Sequence, residues 1–311
     1  MVNTVFGPVN AEELGQTLIH EHITAADWSF RAAFGKKYFD RDKVFSDAVA
    51  QFGVLKREYG LRTVADGTPI NLGRDVGLIK DVAEASGVNF IVSTGFYTQM
   101  DPVVECHTPD EKTALLVDEC KNGILDTGIR PGIFKCAVGE AGFTDFAVEL
   151  LGSVARAAKE TGLPVFCHTT VHNRSGERVG DIFTDNGVDP EKLVIGHSGD
   201  SNDIGYLEGL LKRGFYLGMD RFGLHRVNNS IENRVETIAK LCEKGWADKL
   251  LLSHDRAVFL GFGGGWDDPD CPTAPDLTTV HRVALPMLRK RGVSESDIEK
   301  MLISNPARLF A

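Results

Sequence analysis

The chain has 311 residues, 42 % hydrophobic and 25 % charged, which is enough apolar surface for a large buried core. That balance excludes a disordered, collagen-like or coiled-coil chain. Thirty-four basic residues against 44 acidic ones give a net charge of −10 with no basic tract, which argues against nucleic acid or anionic membranes as partners. No apolar run approaches the ~18 residues of a bilayer span, and residues 1–10 lack a secretory leader pattern, so a cytoplasmic location is expected. Six cysteines without a CxxC pair read as reduced thiols.

In chain order, short apolar runs ending in polar residues or glycine predict eight strands, at 17–23, 62–66, 89–95, 132–138, 164–168, 193–197, 215–220 and 249–255. Helical spacing separates them: Val44, Ala48, Val49, Phe52 and Leu55; then Val148, Leu151, Val154, Ala155 and Ala158; then Val235, Ile238, Ala239 and Cys242. Asp145 precedes the second of these helices as a capping signal, and Gly162 with Pro164 follows it. The predicted fold class is α/β, a single (β/α)8 TIM barrel over residues 1–311, with a doubly wound open sheet as the competitor. Residues 256–276, rich in Gly and Pro and carrying Trp266, break the rhythm and predict a long substrate loop after strand eight.

The polar residues inside these apolar runs carry the chemistry. His20 and His22 share one face of strand one while Glu21 points the other way, and two imidazoles so placed can converge on one ion. His168, His197 and Asp255 end strands five, six and eight, where this fold builds its active sites. Lys135 sits within the apolar strand four. It reads as a buried ion pair, a Schiff-base aldolase nucleophile, or a carbamate bridging two metals; its metal-type neighbours favour the carbamate. His254 faces away from the other ligands by alternation, and His107, His172, His225 and His281 lie off the strand ends as structural or surface residues.

The segments LIHEHI (18–23), FKCA (134–137), FCHT (166–169), IGHSGDS (195–201), YLGMDRFG (216–223) and LSHD (252–255) closely resemble the phosphotriesterase family of the amidohydrolase superfamily, and most of all its phosphotriesterase-like lactonase branch. The resemblance runs from TVFGPV to SNPARLF. It implies a binuclear metal centre, with His20, His22 and Asp255 on the buried ion and His168 and His197 on the exposed one. Lys135, as N6-carboxylysine, and a hydroxide would bridge the two ions. Zinc is the expected metal, with cobalt, manganese or iron as alternatives. The resemblance further implies that the hydroxide attacks the substrate, that Asp255 accepts the proton, and that Asp200 helps carry it to solvent. Tyr97, Arg221 and Trp266 would contact substrate. The implied function is opening of N-acyl-homoserine-type lactones by a homodimer, with weak phosphotriesterase activity. A dedicated organophosphate (aryldialkylphosphate) hydrolase is the alternative. Phe6, the STGFYTQM stretch and the GFGGG run before Trp266 depart from the usual wording of the branch.

Overall fold

The structure, a computed structural model, describes residues 1–98, 101–222, 229–261 and 277–311. An antiparallel hairpin, β1 (Val2–Thr4) and β2 (Gly7–Val9), opens the chain; it is too short to leave a pattern in the sequence. Eight parallel strands then follow at the predicted places: β3 (Thr17–Ala25), β4 (Thr63–Asp66), β5 (Asn89–Gly95), β6 (Ile133–Ala137), β7 (Val165–His168), β8 (Leu193–Ile195), β9 (Tyr216–Met219) and β10 (Leu250–Leu252). Helices such as Arg41–Tyr59, Val76–Ser86, Asp145–Thr161 and Ile231–Glu243 alternate with them. In the Asp145–Thr161 helix the cap is Thr144, whose hydroxyl accepts from the Ala147 N–H at 3.1 Å, and Asp145 is the first helical residue rather than the one before it. Among the described residues, no helix is long and apolar enough to cross a membrane.

The start of the expected loop is instead a strand. β11 (Ala257–Leu260) pairs in parallel with the second half of β3, so sheet order runs β10-β9-β8-β7-β6-β5-β4-β3-β11. β10 lies against the first half of β3, where the Asp255 N–H donates to the His20 carbonyl at 2.9 Å and the His22 N–H to that of Arg256 at 2.8 Å. One interrupted strand, β10 and then β11, therefore runs beside β3 and closes a TIM-like barrel, with Asp255 at the interruption. Residues 262–276, including Trp266, lie outside the described residues.

Two apolar layers result. Ile19, Ala65, Ile91, Ile133, Phe166, Val194, Tyr216 and Leu251 fill the barrel, one from each of β3 to β10, and Leu309 and Phe310 close its lower end. A larger layer lies between strands and helices; Phe52, for example, meets Phe90 edge to face at 5.1 Å. The register between β3 and β4 shifts between Leu18 and Glu21. Simple alternation would send Ile19 and Glu21 inward together. The irregularity instead leaves Ile19 in the core and turns His20 and His22 into the barrel mouth.

Candidate metal centre

The site is built on the strand ends above the inner core. Imidazoles of His20 and His22 lie 5.0 Å apart between centroids, and the His20 ring packs 4.2 Å from that of Phe166. His197 and Asp255 hold left-handed backbone, at φ 58° and 53°, as does Arg221 at 64°. Such conformations are unfavourable for non-glycine residues and persist only where surrounding bonds impose them. Here they clustered at three neighbouring strand ends and turn polar side chains into the mouth.

Hydrogen bonds fix which nitrogen of each ring carries its proton. Asp220 accepts from Nδ1 of His20 and from Nδ1 of His197, both at 3.0 Å. The Thr68 hydroxyl donates to the Thr24 carbonyl, so it accepts from Nδ1 of His22, at 2.8 Å. All three rings therefore turn a bare Nε2 toward the centre. Burial, and next the nearby Lys135, pulls the His20 pKa down to about 3; burial and His197 hold His168 well below the usual histidine range. Both rings stay neutral, as ligands must.

The bare nitrogens meet a carboxylate. Nε2 of His20 and of His22 lie 3.3 and 3.2 Å from Asp255 Oδ1. Burial opposes ionisation of Asp255, yet its pKa is held well below the ordinary range, and the cation in contact with it is Arg221. Electron pairs facing electron pairs repel unless a cation lies among them, so the donor set fits a divalent metal. One ligand atom each from His20, His22 and Asp255 falls within 4.8 Å of the others, and His20, His197 and Asp220 form a second such group. In the second group Asp220 contacts the Nδ1 edges, so its closeness reflects orientation of the rings from behind.

Lys135 is 1 % exposed, with Nζ 2.5 Å from His20 Nε2 and 4.6 Å from the Phe166 ring centroid. Burial lowers its pKa to about 8, so roughly a tenth of the amine is neutral at pH 7, far more than for an ordinary lysine. His168 Nδ1 lies 2.7 Å from His197 Nε2, and the Tyr97 hydroxyl 3.1 Å from that Nδ1. Burial, then Asp255, pushes the Tyr97 phenol above its usual range, which keeps it protonated. Arg221 donates from Nε to Asp255 at 3.1 Å and from Nη1 to Asp200 at 2.8 Å. The other Asp200 oxygen accepts from Arg234, so Asp200 reaches Asp255 only through a guanidinium.

The structure thus brings together His20, His22, Lys135, His168, His197, Asp255, Tyr97, Arg221 and Asp200. Trp266 and His225 lie outside the described residues. Sequence reasoning gave no role to Asp220, Thr68 or Arg234. Asp220 closes the apolar run YLGMD much as Asp255 closes LLLSHD, and that parallel was the available signal.

Residues 1–310 match the phosphotriesterase family. Relatives include the phosphotriesterase homology protein of Mycobacterium tuberculosis, 38 % identical over 99 % of this chain and 97 % of that protein. The aryldialkylphosphatase of Saccharolobus solfataricus is 32 % identical, covering 97 % of each chain. An N-acetyltaurine hydrolase of Salmo salar is 26 % identical over 99 % of this chain and 97 % of that one. The solved phosphotriesterase from Mycobacterium tuberculosis superposes with a TM-score of 0.93 at 38 % identity, over 99 % of this chain and 98 % of that one. Likeness along the full barrel, with cation-seeking ligands at its mouth, makes this chain a metal-dependent hydrolase and a member of the phosphotriesterase family.

Proposed function

We propose that this hydrolase opens lactones of the N-acyl-homoserine type and has weak phosphotriesterase activity. His20, His22 and Asp255 would hold one divalent ion, His168 and His197 a second, and Lys135 as N6-carboxylysine would span both. When bound, such ions acidify water and polarise the oxygen of the scissile group. Asp255 is the proton acceptor, kept ionised by the Arg221 guanidinium beside it. Asp200 anchors Arg221, which in turn holds the Asp255 carboxylate in place; because a guanidinium does not pass protons on, Asp200 acts here by positioning Arg221.

The observation that carries the lactone reading is the protonated Tyr97 hydroxyl beside His168. Ring opening expels a basic alkoxide, which needs a hydrogen-bond donor and a proton, whereas an aryl dialkyl phosphate expels a phenolate that leaves unaided. Of β11, Leu260 is a partly exposed apolar residue suited to meet an acyl chain, whereas Val258 and Phe259 pack in or against the core. The aryldialkylphosphatase relative favours a second reading, a dedicated organophosphate hydrolase.

The deciding experiment uses zinc- or cobalt-loaded protein of measured metal content, on lactones of graded ring size and acyl length and on an aryl dialkyl phosphate. An acyl lactone should exceed the phosphate in kcat/KM by at least ~100-fold, and Tyr97→Phe should harm the lactone more. The reverse ranking makes organophosphates the substrates. For Lys135→Ala, loss of metal with partial recovery in added formate or acetate is the signature of a replaced carbamate. A Schiff-base lysine could not be rescued that way.

A further inference from the structure

Two residues of the sequence motifs point away from the metal centre, and they meet. Glu21 of the HEH triplet and His254 of SHD are both 0 % exposed, on the outer side of the seam where β10 and β11 adjoin β3. Glu21 Oε1 accepts from the His254 backbone N–H at 2.8 Å and from His254 Nδ1 at 2.7 Å, while Oε2 accepts from the Arg256 N–H at 3.2 Å. One carboxylate thus grips the chain immediately before and immediately after Asp255. His254 Nε2 accepts from the Val280 N–H at 2.9 Å, so the same pair also fastens the chain where it re-enters the described structure.

We infer that Glu21 is a positioning residue: through His254 and Arg256 it imposes the left-handed turn that aims the Asp255 carboxylate at His20 and His22. The inference rests on the metal reading of those three residues. Asp255 has φ 53°, in the left-handed region, which aspartate tolerates better than most residues but which still needs surrounding bonds to select it. Its N–H goes to the His20 carbonyl, the Arg256 carbonyl accepts from the His22 N–H, and Arg221 holds its carboxylate; the backbone N–H groups on either side of it, those of His254 and Arg256, both donate to Glu21. A buried carboxylate has acceptor capacity for all three N–H donors at once. A glutamine has one carbonyl oxygen, and its amide would face an N–H with another donor. His254 holds its orientation because Nε2 is committed to accepting from Val280, which leaves the Nδ1 proton for Glu21.

The test compares wild type with Glu21→Gln, His254→Gln and His254→Asn, each titrated with cobalt(II) alone and monitored by the visible spectrum of the bound ion, alongside thermal unfolding. His254→Gln keeps an acceptor for Val280 and loses the Nδ1 donor; His254→Asn keeps a donor near the Nδ1 position and loses the Val280 acceptor. Glu21→Gln should bind cobalt about 10–100-fold more weakly, with an altered spectrum. At saturating metal its kcat should fall while KM changes little. His254→Gln should follow in the same direction, and His254→Asn should be milder. Should Glu21→Gln fail to fold, the ordering of the two His254 variants decides. Lower melting temperatures with wild-type cobalt affinity and spectrum, or a larger effect in His254→Asn than in His254→Gln, would overturn the positioning role. Wild-type protein that binds no cobalt would instead overturn the metal reading itself.

Discussion

Asp220 shows how much a single buried carboxylate decides. It accepts from the Nδ1–H groups of two imidazoles on strands far apart in sequence, and so leaves both Nε2 atoms free for a cation. Burial alone would raise its pKa, but His197 and His20 hold it far below the usual range, fully ionised. Asp220→Asn keeps the shape and replaces one acceptor by an amide donor, which must face an Nδ1–H or force that ring to the other tautomer. Metal affinity should fall about 10–100-fold, as read by competition with a chelator. Unchanged affinity would show that the tautomers are fixed in another way. His20, His22, Lys135, His168, His197 and Asp255 were legible in the sequence because a polar residue inside or ending an apolar run has to be explained. Asp220 met the same criterion, yet its role is a relation between β3, β8 and β9 that spacing does not express.

At the scale of elements, the strands were legible because parallel strands covered on both faces read as continuous apolar runs. β11 was not: its four residues adjoin a glycine-rich stretch, and only pairing with β3 defines them as strand. The register shift in β3 was equally hidden, since HEH alternates correctly whichever residue before it is displaced. Strand ends also carry backbone constraints. Gly95 closes β5 at φ 124°, and a Cβ there would come 2.0 Å from the carbonyl oxygen of Lys135 on β6. Gly95→Ala must therefore push the two strands apart at the residue that reaches the metal centre. Denaturant unfolding should show a loss of at least ~2 kcal/mol, with reduced metal content in whatever folds. Wild-type stability and metal content would mean that the β5–β6 pairing can yield at no cost.

At the scale of the molecule, acid sensitivity has one contributor remote from the ligands. His281 is buried against Tyr59 with ring centroids 5.2 Å apart; Nε2 donates to Gln16, and Nδ1 has no partner among the described residues. Burial, and next His254, lowers its pKa to about 4. The unfolded chain takes up the proton near pH 6.5 and the folded chain only near 4. Stability from this group is therefore whole above pH 6.5, drains as pH falls through that window, and levels off below it. The full loss is up to ~3 kcal/mol. Urea unfolding at pH 7, 5.5 and 4 should show a shallower pH dependence for His281→Gln than for wild type. Equal slopes would assign the acid loss to other groups.

The closure of the barrel beside Asp255 has a consequence in time. The bonds that join β3 to the last strands link residues 233 positions apart, such as the His20 N–H to the Ser253 hydroxyl. At a synthesis rate of about 5–20 residues per second, His20 and His22 emerge roughly 12–47 s before Asp255, the residue proposed to complete their ligand set. During that interval the nascent chain holds two histidines of the centre but no carboxylate from Asp255 and no seam to orient them. Ribosome-bound chains arrested before residue 250 are expected to retain no cobalt after gel filtration, and released full-length chains to retain it. On the proposed ligand set, metal acquisition would therefore wait for the arrival of the final strands.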